Sequence, residues 1–175
     1  MRKTLTAAVL AAMLALTACG GGGNDDEEAS KAISDAIMKS QEEQDASMIS
    51  VPQEDAACIG DGLVDEIGAD KLKEYGLLTE DNKTDGDLAS VEMSEADATS
   101  AADVLTDCTD IQAMMESGMA EQMGSLPKEA QDCMKEALSE DALHEVFVAV
   151  FQGDDQAAQE VLLQPMQECA TKGLQ

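Results

Sequence analysis

Few residues of this 175-residue chain could do chemistry: five cysteines, one histidine, the acidic stretch 81–92, and Met115, Met119 and Met123 spaced four apart. Cys58, Cys108, Cys133 and Cys169 form an even set, which in an exported domain reads as two disulfides. Three pairings are open. No two of these cysteines stand at C-x-x-C spacing, which argues against zinc. Asp81, Asp85, Asp87 and Glu92 offer hard carboxylate oxygens of the kind calcium takes, and Gly86 allows a sharp turn among them. Lys83 stands in their midst and would repel the ion. In a chain with 37 acidic residues such groupings arise from composition alone, so a solvated acidic loop is the first reading and calcium the alternative. The three methionines present soft thioethers suited to Cu(I). With no Trp, one Tyr and two Phe in the chain, they read first as core filler. His144 follows Glu140 and Asp141 by one helical turn, the spacing of an acid–imidazole pair. No Ser, Thr or Cys can be set beside it from sequence, so it reads as a surface histidine. Enzyme activity is not expected, and an extracytoplasmic hydrolase around His144 is the distant alternative. Carboxylate pairs such as Glu42-Glu43 and Asp65-Glu66 recur too widely to mark a glycosidase site.

Residues 81–92 resemble the twelve-residue calcium loop of EF-hand proteins. Asp81, Asp85, Gly86, Leu88 and Glu92 occupy the matching first, fifth, sixth, eighth and twelfth places. The resemblance implies calcium held by Asp81, Asp85, Asp87 and Glu92. Lys83 departs from it at the third place, where an oxygen ligand belongs. No other cofactor is expected.

The first residues read as an export signal, with a basic start at Arg2 and Lys3 and an apolar run from Leu5 to Leu16. That run is too short for the ~20 residues that cross a bilayer. It ends in Leu16-Thr17-Ala18-Cys19, which resembles the lipobox of bacterial lipoproteins. The resemblance implies cleavage after residue 18, a diacylglycerol thioether on Cys19, palmitate-type acylation, and anchoring at the outer face of the cell membrane. In an organism with two membranes, the outer membrane is the alternative. Two or three acyl chains anchor stably where one does not. Residues 19–28, with Gly20 to Gly23 and then Asn24-Asp25-Asp26-Glu27-Glu28, read as a flexible acidic tether reaching roughly 16–19 Å.

The formal net charge is −27. So negative a chain is a poor partner for nucleic acid, which needs a basic footprint. Cationic partners and simple solubility remain.

The elements that must position these residues read as helices throughout 29–175, a single domain. Nine residues occur twice, Ser50 to Cys58 and Ser125 to Cys133, with Ser, Pro, Glu and Cys at identical offsets. Ser caps a helix, Pro suits its first turn, and the acids favour its positive end. Two repeat units, about 50–108 and 125–169, are expected with a linking helix over about 110–123. The repeat favours Cys58–Cys108 with Cys133–Cys169. Ser94-Glu95-Ala96-Asp97 reads as a capping box. Val146 to Phe151 reads as a helix buried on all sides, Asp154 or Asp155 as the cap of the last helix, and Pro165 as a kink within it. The expected fold is therefore all-α, about seven helices in two duplicated units, each closed by a disulfide.

With its leader, Gly-acidic tether and paired cysteines, the chain resembles small, acidic, helical lipoproteins of actinobacterial type. That resemblance implies location and architecture rather than activity. The role expected is a non-enzymatic, membrane-anchored envelope lipoprotein that binds or supports another envelope protein.

Overall fold

The computed structural model describes residues 24–43, 50–84, 91–124 and 126–172. Among these residues there are eight α-helices and no strand: α1 (Asp25–Glu43), α2 (Gln53–Glu66), α3 (Ala69–Glu74), α4 (Glu95–Cys108), α5 (Ile111–Met123), α6 (Lys128–Ala137), α7 (Glu140–Phe151) and α8 (Asp155–Lys172). The expected signal peptide, Cys19 and the glycines of the tether lie outside the described residues. The acidic end of the expected tether does not. Asp25, Asp26, Glu27 and Glu28 are the first turn of α1, where carboxylates meet the exposed amides and positive end of the helix dipole.

Both disulfides pair as the repeat favours. Cys58 joins Cys108 and Cys133 joins Cys169, so each staple ties the first helix of a unit (α2, α6) to its last (α4, α8). The helices pack in the succession α1–α2–α4–α7–α8–α6.

The repeated nine residues start their helices identically, though not as expected. Pro52 and Pro127 themselves occupy the N-cap positions, with φ, ψ of −59°, 153° and −56°, 149°, and neither helix has a side-chain cap. Ser50 stands too early to cap, and Ser125 lies outside the described residues. Proline can replace a capping side chain here because its fixed φ suits helix entry and it removes one of the orphan donors.

Helix ends follow the expected chemistry elsewhere. Gly68 (φ +92°) and Gly153 (φ +73°) turn the chain after α2 and α7 in the left-handed region that glycine enters without strain. Asp154 Oδ1 accepts from the Ala157 amide at 2.9 Å and caps α8, which continues through Pro165. Asp110 Oδ1 does the same for α5 at the Ala113 amide, 2.8 Å.

The two units are alike in order but unequal in packing. The main core joins Ile33, Ile59, Leu63, Val64, Leu72, Leu78, Val91, Met93, Ala101 and Val104, all from α1 and the first unit. The second unit buries mainly Ala130, Ala137, Leu138, Leu143, Ala149, Ala158 and Cys169. α7 is helical as expected but not buried all round: Val146, Phe147, Val148, Val150 and Phe151 are all half-buried.

The asymmetry has a source in one residue. A Cβ placed on Gly60 would lie 2.4 Å from the Ser30 carbonyl oxygen, so α1 lies backbone against backbone on α2. The matching position of the second unit is Lys135. A lysine cannot admit a helix that closely.

Candidate functional site

Asp97, in the first turn of α4, gathers four hydrogen bonds. Its Oδ2 accepts hydrogen bonds from Lys71 Nζ (2.7 Å), Tyr75 OH (2.5 Å) and Ser94 Oγ (2.9 Å), while its amide donates to Ser94 Oγ (3.2 Å). Half of the expected capping box is therefore present, since Ser94 caps α4 as its N-cap residue. The reciprocal half is altered. The Ser94 amide donates to Tyr75 OH at 3.2 Å rather than to Asp97, and the phenol passes the bond on to the carboxylate. A Tyr hydroxyl drawn into a core needs a partner, and here it finds two.

The Lys71 hydrogen bond foremost, then those of Tyr75 and Ser94, lower the Asp97 carboxyl from 3.8 to about 2 against its partial burial. Lys71 is raised in turn, chiefly by its bond to Asp97. Asp97 has a lower pKa folded than unfolded, so its contribution is present above pH 3.8 and is lost as pH falls from 3.8 to about 2. Its side chain is 13% exposed, but Lys71, its chief partner, is 51% exposed, so after solvent screening the shift is worth about 1–2 kcal/mol. Asp97→Asn is therefore expected to be less stable than the parent at pH 6 by about 1–2 kcal/mol, with the gap closing between pH 4 and pH 2. Urea unfolding of both chains across that range measures it, and a gap that is constant with pH contradicts the assignment.

His144 is not the lone surface histidine expected: it is half-buried and meets an acid on another helix. Its Nε2 lies 2.9 Å from Oδ1 of Asp103, across the α4–α7 contact, and not on Glu140 or Asp141 of its own helix. An (i, i+4) pair on one helix leaves both groups in water. The half-buried imidazole, 28% exposed, instead reaches a neighbouring helix. The bond orients the ring and ties the two units together.

One turn further along both antiparallel helices, Asp107 and Glu140 border a cleft of about 400 Å3. Thr109, Asp110 and Leu143 also line it, beside Cys108 of the first staple. Thr109 is 6% exposed, and its Oγ1 is buried without a hydrogen-bond partner. A buried hydroxyl left unpaired is costly, and native chains leave few of them. The exposed carboxylates of Asp107, Asp110 and Glu140 make the cleft negative, with the Asp103–His144 pair alongside.

Of the acids expected to hold calcium, Asp81 and Glu92 fall among the described residues. Asp81 is exposed in a turn closed by the Thr79 amide on the Lys83 carbonyl (2.7 Å) and the Asn82 amide on the Thr79 carbonyl (2.9 Å). Asn82, at φ +51°, donates from Nδ2 to the Asp25 carbonyl at 3.3 Å, while its Oδ1 is buried without a partner. The Glu92 side chain lies over Gly153, at the turn between α7 and α8. Asp85 and Asp87 lie outside the described residues, as do the side chains of Met119 and Met123. Among the described residues no three or more His, Cys, Asp or Glu side chains are grouped to hold a metal ion. Nor is any described helix long and apolar enough to cross a membrane.

Sequence reasoning did not find the Lys71–Tyr75–Asp97 cluster or the cleft. The single tyrosine of an aromatic-poor chain was the available signal for the first. The second depends on which helices pack, and no local pattern carries that. Comparison with models of protein families, with curated proteins and with solved structures finds no match to this chain.

Proposed function

We propose that the protein is a non-enzymatic, lipid-anchored component of the cell envelope that binds a basic segment of another envelope component. The observation that carries the reading is the cleft whose lining includes the exposed carboxylates of Asp107, Asp110 and Glu140. A cationic side chain entering there gains three carboxylates. The net charge of −27 would speed the encounter with a basic partner. Two disulfides support an oxidising compartment outside the cytoplasm. The lipobox-like Leu16-Thr17-Ala18-Cys19 supports anchoring at the membrane face through Cys19.

Capture from detergent-solubilised membranes, run beside the Asp107→Asn/Glu140→Gln variant, tests the binding. The expected result is one species retained by the parent chain, lost in high salt and lost by the variant. Capture that is unchanged in the variant, or a turnover assay that succeeds, contradicts the reading.

A further inference from the structure

A second cavity has the opposite chemistry. Between α1, α2, α4 and the end of α7 lies a space of about 200 Å3 lined only by hydrocarbon and thioether side chains. Its inner wall is Ile33, Ile59, Leu63 and Met93, each less than a tenth exposed. Its outer wall is Ile37, Leu105 and Phe151, which are half-buried and so lie toward the surface.

Protein interiors pack as tightly as organic crystals, with few voids larger than a water molecule. An empty space of this size deprives its lining of dispersion contacts. Water is a poor tenant, since a buried water needs two to four polar partners and this wall offers it no side-chain donor or acceptor but a thioether. Cavities of ~150 Å3 lined by Leu, Ile and Phe stay dry and take up benzene. The frame around this one is held in place. Met93 donates its amide to the Phe151 carbonyl at 2.7 Å, and Gln41 makes a two-way pair with the backbone of Val51 at 2.7 and 3.2 Å, fixing the end of α1 to the approach to α2. The walls therefore keep the space rather than collapsing into it.

We propose that this cavity is a binding site for a linear alkyl chain, entering between Ile37, Leu105 and Phe151 and ending against Ile33, Ile59, Leu63 and Met93. By comparison with the six carbons of benzene in ~150 Å3, it holds about six to eight carbons. A chain of that length, or the end of a longer one, is buried with its polar head left at the surface. The site is independent of the acidic recess and of the anchoring at Cys19.

The test is a titration of n-alkanols from butanol to dodecanol into the full chain carrying Cys19→Ala, which keeps acyl groups and detergent out of the sample. Calorimetry gives each affinity. Affinity is expected to rise about fourfold per methylene until the cavity is full, near eight carbons, and then to level off. Leu105→Phe, which fills the space from its outer wall, is expected to weaken octanol binding at least tenfold while leaving the melting temperature unchanged or higher. Met93→Ala, which enlarges it, is expected to move the plateau to chains longer by about two carbons. Absence of binding overturns the proposal. So does affinity that climbs past dodecanol without a break, which would indicate adsorption to a surface. If Leu105→Phe does not fold, an unmoved plateau in Met93→Ala overturns it equally.

Discussion

Replacing Cys58 and Cys108 together by alanine is expected to destabilise the chain by about 4 kcal/mol. The bond closes a separation of 50 residues, and restricting a loop of that size in the unfolded ensemble is worth about 4 kcal/mol in the chain-entropy model. The separation of 36 in the second staple gives nearly the same figure, because the dependence on length is logarithmic. The consequences of losing each bond should nevertheless differ. α2 and α4 remain joined through the core that includes Ile59, Leu63, Ala101 and Val104, so the first unit is expected to stay folded at lower stability. α6 and α8 bury mostly alanine and the staple itself, with Cys169 at 2% exposure. Without Cys133–Cys169, α6 and α8 are expected to open while α1–α4 persists, since a total stability of 5–15 kcal/mol leaves little margin for the thinner unit. Urea unfolding combined with amide exchange separates the outcomes. Equal protection of α2 and α6 in the Cys133→Ala/Cys169→Ala chain would contradict the inequality of the two cores.

Gly60→Ala should cost about 2 kcal/mol although alanine is the better helix former. Propensity alone would favour the substitution by roughly 1 kcal/mol. The added methyl, however, meets the Ser30 carbonyl oxygen at 2.4 Å and its carbon at 3.2 Å. These are backbone atoms of α1, so no rotamer change relieves the contact and the two helices must separate. Overpacking of this kind costs typically 1–3 kcal/mol. It would also loosen Ala29, Ile33 and Ala56, each no more than 2% exposed. Urea unfolding of Gly60→Ala that shows unchanged or increased stability would contradict the close crossing of α1 and α2.

The sequence made helix positions and cysteine pairing readable because those depend on spacing. The recurrence of Pro and Cys six residues apart, at Pro52 and Cys58 and again at Pro127 and Cys133, placed both staples, and the four-residue steps of Ala29, Ile33 and Ile37 placed α1. What it could not supply was choice among chemically equal partners. His144 had acids within reach on its own helix, yet pairs with Asp103 because α4 and α7 pack antiparallel there. Asp97 looked like an ordinary capping acid, and only the return of α3 against α4 brings Lys71 and Tyr75 to it. Ser50 had the right side chain for a cap but stands two residues before Pro52, which begins the helix. The apolar run 146–151 looked central because every residue in it is hydrophobic. Burial depends on how many neighbours cover a helix, and among the described residues α6 packs chiefly on α8, with no helix laid on it at Lys135 as α1 is laid on α2 at Gly60. The acidic recess and the apolar cavity were beyond local patterns altogether, since each is walled by segments far apart in the chain.

The central proposal, an envelope protein held by lipid on Cys19, is tested most directly by the intact mass of the protein extracted from membranes of its host. The expected mass is that of a chain beginning at Cys19 with a diacylglyceryl thioether on the cysteine, both disulfides formed, and recovery in the detergent phase on partitioning. A chain beginning at another residue, or beginning at an unmodified Cys19 and recovered in the aqueous phase, would contradict it.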